Sequence, residues 1–136
     1  MVRKLTETYY VSPQITPEAM AQLAEQGFSD VICNRPDIEN GPELQHDLMQ
    51  KAAEAAGLIY HFHPLVSQTL MLTDNVARQK ELASSAKGKV LAYCASGTRC
   101  TYVWALGQVG EMPANDIIDT AAQAGYDLNP LRPMLV

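Results

Sequence analysis

The 136 residues suffice for one compact domain and are too few for two separate cores, so a single domain spanning residues 1–136 is expected. With 47% hydrophobic and 18% charged residues and no repeats, the composition is that of an ordinary globular protein, and a formal charge of −5 without a lysine or arginine cluster argues against nucleic acid or an anionic membrane as partner. The start, Met-Val-Arg-Lys-Leu-Thr-Glu-Thr, lacks the apolar core of a signal peptide, no segment approaches the ~20 apolar residues of a membrane span, and three cysteines form no metal-like spacing; a cytoplasmic protein with free thiols is expected.

Tyr9 to Ser12 reads as a first strand, and Thr16 with Pro17 is placed to open a helix that ends before Gly27, burying Met20, Leu23 and Ala24. Asp30 to Asn34 is a buried strand closed by Arg35-Pro36-Asp37. Pro42 opens a second predicted helix with Leu44, Leu48, Ala52 and Ala55 as its inner stripe and Gly57 at its end. Leu58 to His63 is the next strand, stopped by Pro64. After a loop over 65–72, Thr73 or Asp74 can cap a third helix to about Ala86, Lys89 to Tyr93 forms a further strand, and helices are predicted over Cys100 to Val109 and Pro113 to Ala124, the last burying Ile117, Ile118 and Ala121. Strand and helix in alternation predict an α/β fold, a mostly parallel central sheet of about four strands flanked by helices, with ligands beyond the carboxyl ends of the strands.

The most informative stretch is Val90 to Thr101. A strand delivers Cys94 to the sheet edge, and Ala95, Ser96, Gly97 and Thr98 can curl their backbone N–H groups inward before a helix whose dipole adds positive potential. Arg99 supplies a forked, permanently charged donor. A helix N-terminus and a nearby arginine can lower a thiol's pKa from about 8.5 to roughly 3.5 to 7.5, which makes Cys94 a candidate nucleophile rather than a buried strand-end cysteine.

The loop Cys94-Ala95-Ser96-Gly97-Thr98-Arg99 resembles the active-site loops of rhodanese-type sulfurtransferases and of cysteine-dependent tyrosine and dual-specificity phosphatases. Over nearly the whole chain, the segments Tyr9 to Ile15, Gly27 to Asp37 and Leu91 to Cys94 resemble the beta-lactamase-hydrolase-like, phosphatase-like family, which is similar in fold to dual-specificity phosphatases. The resemblance implies that fold, Cys94 and Arg99 as catalytic residues, and residues 95–98 with Cys100 as the anion-binding loop. Family members fused to enzymes of sulfide and persulfide metabolism imply a sulfide-oxidation enzyme as a candidate partner.

Cys94 and Arg99 enclose four residues, whereas the phosphatase signature encloses five and the rhodanese spacing is four. The phosphatase pattern also has histidine before the cysteine and a hydroxyl residue after the arginine, where this chain has Tyr93 and Cys100. The aspartate that phosphatases of this fold use as general acid is missing after the strand that ends at His63, and Asp74 falls at a helix cap. These departures favour sulfane-sulfur transfer from thiosulfate or glutathione persulfide to an acceptor thiol through a Cys94 persulfide. A phosphatase acting through a phosphocysteine is the alternative, and a non-catalytic anion-binding module the third reading.

His63 is a candidate acid or substrate contact. Arg35 either holds a second anionic group of the substrate or pairs with Asp37 or Glu39. Cys100 either resolves an oxidised Cys94 or packs at the helix start, and Cys33 is a back-door thiol or a buried one. His61 and His63 share one face of their strand, but no third ligand has matching spacing, so neither a metal nor a cofactor is expected.

Overall fold

The computed structural model describes all 136 residues. Its sheet has five strands in the order β1-β2-β5-β3-β4: β1 (Arg3–Lys4), β2 (Tyr9–Ser12), β3 (Phe28–Cys33), β4 (Ile59–Phe62) and β5 (Lys89–Tyr93). Only β1 runs antiparallel; Tyr9 to Ser12 pair in register with Val90 to Tyr93, and Val31 to Cys33 pair with Leu91 to Tyr93 on the other side. The parallel α/β expectation holds. The extra strand is a two-residue, exposed edge with no apolar pattern to announce it, placed by pairing alone.

Six helices cover the sheet: α1 (Ala19–Glu25), α2 (His46–Ala55), α3 (Thr73–Ser84), α4 (Thr98–Gly107), α5 (Ala114–Gln123) and α6 (Arg132–Leu135). Because side chains alternate along a strand, β5 feeds two cores at once. Val90, Ala92 and Cys94 pack with Ile32, Trp104, Ala105, Ile117 and Ala121 on one face; Leu91 and Tyr93 pack with Val31, Met20, Leu23 and Met49 on the other. Each such large side chain, fully withdrawn from water, stabilises the fold by ~1.5–3 kcal/mol. No helix is long and apolar enough to cross a membrane.

Four helix starts differ from the sequence reading, among them α3, whose N-cap is Leu72 with no side-chain bond, so neither Thr73 nor Asp74 caps it. Thr16 does not cap α1, which begins at Ala19 with no side-chain cap, and Pro42 opens a 3-10 turn (Pro42–Leu44) instead of α2. With α2 starting at His46, its inner stripe moves to Met49 and Ala53, and Leu48 is 42% exposed. The offset arises because Asp37 accepts the backbone N–H of His46 at 2.8 Å, a tertiary cap that the local pattern does not contain. Conversely α4 begins at Thr98, two residues before the predicted start, so the end of the loop that bears Cys94 is already helical.

Candidate active site

The central strand β5 carries Cys94 to the C-terminal edge of the sheet, and the neighbouring strand ends clamp the start of the loop. Cys94 N–H donates to the Ser12 carbonyl at 3.4 Å, Gln14 N–H to Ala95 O at 3.3 Å, and Asn34 N–H to Tyr93 O at 2.8 Å. The chain then reverses at Gly97, whose φ of +92° is left-handed. A side chain there is doubly excluded, since an added Cβ would lie 2.1 Å from Tyr126 Oη. Tyr126 Oη in turn donates to Ser96 O at 3.0 Å, bracing the loop from outside.

This turn points amides at the sulfur. Gly97 N–H donates to Cys94 Sγ at 3.1 Å, and the amides of Ser96 and Cys100 also face it. The N–H groups of Ala95, Ser96, Arg99 and Cys100 have no backbone acceptor, because they belong to the loop or the first turn of α4. Together with the α4 dipole they favour negative charge inside the loop.

Cys94 is accordingly held as a thiolate, its pKa lowered to about 5. The Cys100 thiol is the largest cause, burial opposes it, and the amides of Cys100, Gly97 and Ser96 add to the lowering. Cys100 itself is fully buried and pushed well above the usual thiol range, first by desolvation and then by its neighbour, so it keeps its proton and donates it. The residue expected to mark a missing hydroxyl thus brings a protonated thiol that lowers the pKa of Cys94. Thr101 is engaged elsewhere, donating to Gly97 O at 2.8 Å.

Ionisation of Cys94 favours the folded state fully above the unfolded thiol's pKa, about 8.5, and that contribution is lost as pH falls through about 5. A hydrogen bond to a charged group is worth ~1.5–3 kcal/mol, or about 1 to 2 pKa units. Cys100→Ala is therefore expected to move the acidic limb of a Cys94 alkylation-rate profile upward by that amount, with Cys100→Ser restoring it. An unmoved limb in Cys100→Ala would show that the loop amides alone hold the thiolate.

Arg99 is positioned by Glu39, which the sequence offers, with Asp37, only as a possible partner of Arg35. Glu39, in a 3-10 turn (Asp37–Glu39) after β3, accepts Arg99 Nη1 at 2.8 Å and Nη2 at 2.7 Å, and Leu65 O accepts the other Nη1 proton at 2.8 Å. Those bonds fix the plane of the guanidinium and leave Nε–H with one Nη2–H as a parallel fork. The ion pair also holds the Glu39 carboxyl below its usual range. The pairing spans 60 positions, and only the spacing of Arg35 and Glu39 hinted at an acidic anchor here.

Arg35 does not offer a free cation: it pairs with Glu39 through Nε at 3.2 Å, donates to Glu39 O at 3.1 Å and reaches Gln14 at 3.3 Å. It steadies the Glu39 turn instead of holding a second anionic group. His63 is buried, with Nδ1 2.8 Å from Gln79 Oε1 and no partner for Nε2. Gln79 Nε2 donates to Asn34 Oδ1 and Tyr9 Oη, so its Oε1 is an acceptor, and His63 carries its proton on Nδ1. His61 is engaged apart from it, by Asp30 at 2.7 Å. Cys33 packs in the core on the opposite face of the sheet from Cys94, which removes it as a back-door thiol, and burial raises its pKa.

Comparison with known proteins agrees with this geometry. A family model described as "Beta-lactamase hydrolase-like protein, phosphatase-like domain" matches residues 1–111. A beta-lactamase hydrolase-like protein of Xylella fastidiosa is 32% identical over 126 residues, 91% of this chain; the chain spans only 29% of that protein's length. The crystal structure of a candidate phosphatase from Neisseria meningitidis superposes with a TM-score of 0.86 at 34% identity, covering 98% of this chain and 94% of the other. A kinase-associated phosphatase whose catalytic-site cysteine is replaced by serine superposes with a TM-score of 0.67 at 16% identity, covering 86% and 75%. The fold is thus that of the tyrosine and dual-specificity phosphatases.

Proposed function

The chain belongs to the family of phosphatase-like domains of beta-lactamase hydrolase-like proteins, and from that premise we propose that it is a cysteine-dependent phosphatase acting through a phosphocysteine on Cys94. The observation that carries this reading is the pairing of a stabilised thiolate with an unoccupied donor fork on Arg99, backed by loop amides that have no backbone acceptor. Cys94 Sγ attacks phosphorus as the P–O bond to the ester oxygen breaks and that oxygen departs with its electron pair, the amides and the Arg99 fork hold the non-bridging oxygens as charge spreads over them, and water then cleaves the S–P bond to release inorganic phosphate and the thiolate. A thiolate of low basicity is also a good leaving group for that second step.

The sulfur-transfer reading rests on the four-residue spacing and on three departures from the phosphatase pattern, at Tyr93, at Cys100 and in the absent aspartate. The departure at Cys100 is offset because its protonated thiol lowers the pKa of Cys94. The absent aspartate limits which esters can be cleaved without excluding phosphate. The family match is described as phosphatase-like and the structural relatives named above as phosphatases, which supports phosphate as the cargo.

Acid-quenched intact-mass analysis after mixing with 4-nitrophenyl phosphate tests the proposal. The expected result is a phosphoryl adduct on Cys94, suppressed by vanadate. Persulfide formation from thiosulfate with no phosphoryl adduct would reverse the assignment, and binding of phosphate without either adduct would leave an anion-binding module.

A further inference from the structure

We infer that this site cleaves only phosphates whose leaving oxygen is stable as an anion, acyl phosphates and acidic aryl phosphates, and leaves alkyl esters such as phosphoserine intact. This rests on the phosphatase reading above. The reason is that the imidazole and the carboxylates tied to the loop and its Arg99 anchor are already committed.

The segment from His63 to Leu72, which follows β4 and lends its Leu65 carbonyl to Arg99, contains no carboxylate. Its one imidazole is turned the wrong way. His63 donates its Nδ1–H to Gln79, and its Nε2 is sealed from water without a partner. Glu39 has both oxygens on Arg99 and is held ionised there. Asp37 has both oxygens on His46, one on the backbone N–H and one on Nδ1.

The hydroxyls are no better placed. Tyr126 Oη donates to the Ser96 carbonyl and its pKa is raised, first by burial. Ser96 Oγ donates to Thr98 Oγ1 at 2.9 Å. Asp74 is exposed in the first turn of α3 and makes no hydrogen bond to another side chain, which leaves it free to move.

In the first step the S–P bond forms as the P–O bond breaks, and the electron pair leaves on oxygen with no proton delivered to it. A positioned general acid contributes typically 10²–10⁴-fold, and that assistance grows in value as the leaving oxygen becomes more basic. A phenol near pKa ~10, like that of tyrosine, therefore marks the difficult end of the range and an alkoxide lies beyond it.

The test is kcat/KM at about pH 8, where phosphate monoesters are dianions, for 2,4-dinitrophenyl, 4-nitrophenyl and phenyl phosphates, acetyl phosphate and phosphoserine. A fall of at least ~10²-fold from the dinitrophenyl to the phenyl ester is expected, with acetyl phosphate cleaved, phosphoserine untouched and Asp74→Asn leaving the slope unchanged. A flat series, or phosphoserine turnover, overturns the inference while the phosphatase reading stands. A slope that steepens in Asp74→Asn overturns it as well, by identifying Asp74 as the acid. No phosphoryl adduct and no turnover even with the dinitrophenyl ester overturns the phosphatase reading itself, and this inference with it.

Discussion

Cys94→Ser is expected to lower turnover of 4-nitrophenyl phosphate by on the order of 10⁴- to 10⁶-fold, the range seen when a covalent nucleophile is removed from an otherwise intact site. The loop that lowers the thiol to about pKa 5 cannot do the same for a hydroxyl, whose ionisation lies far above neutral pH, so the serine stays protonated and unreactive. The loop and Arg99 have anchors besides the sulfur: Tyr126 donates to the Ser96 carbonyl, Thr101 to the Gly97 carbonyl, and Arg99 is held by Glu39 and Leu65. Vanadate or phosphate binding should therefore survive in the variant, as read by calorimetry. Residual turnover within tenfold of the parent would show that Cys94 is not the nucleophile.

Arg99→Lys is expected to cost on the order of 10³-fold in kcat/KM, more than an ordinary conservative change. A lysine presents one compact charge, whereas the transition state spreads charge over oxygens that a planar fork can bind in pairs. The ammonium would also be drawn to Glu39, which now holds Nη1 and Nη2 at 2.8 and 2.7 Å, and away from the loop. Glu39→Gln separates the two effects, because it keeps the guanidinium charge and loosens its plane. A loss in Glu39→Gln concentrated in kcat, with KM for the ester nearly unchanged, would identify Glu39 as a positioning residue. Equal activity of Arg99→Lys and the parent would remove the fork from the mechanism.

Much of the site is legible in local chemistry. The β-branched and apolar run before Cys94, the small residues after it and the arginine five positions on can form one kind of loop, and β5 spans the residues expected of it. Burial of Ile117, Ile118 and Ala121 is equally plain from helical spacing, because one periodic stripe against one core leaves a single solution. The α2 stripe fails for the opposite reason. Asp37 caps that helix from nine positions upstream, so its register is set by a bond that no local window contains.

Spacing is less reliable than chemistry inside the loop. Four residues between Cys94 and Arg99 suggest a narrow cradle for sulfur, but the working edge of Arg99 is set by Glu39 and Leu65, which lie far away in the chain. Reading Cys100 as a lost hydroxyl likewise overlooks that a buried thiol beside a thiolate keeps its proton.

By itself the sequence determined the α/β layering, the strand that carries Cys94 and the placing of that thiol just before a helix start, since all three derive from hydrophobic period and turn residues. The tertiary structure alone decided the direction of the Arg99 fork, the tautomer of His63, the isolation of Cys33 and the register of α2. Each of those rests on a hydrogen bond or a packing face shared by residues distant in the chain, and such pairings exist only once the sheet has brought its strand ends together.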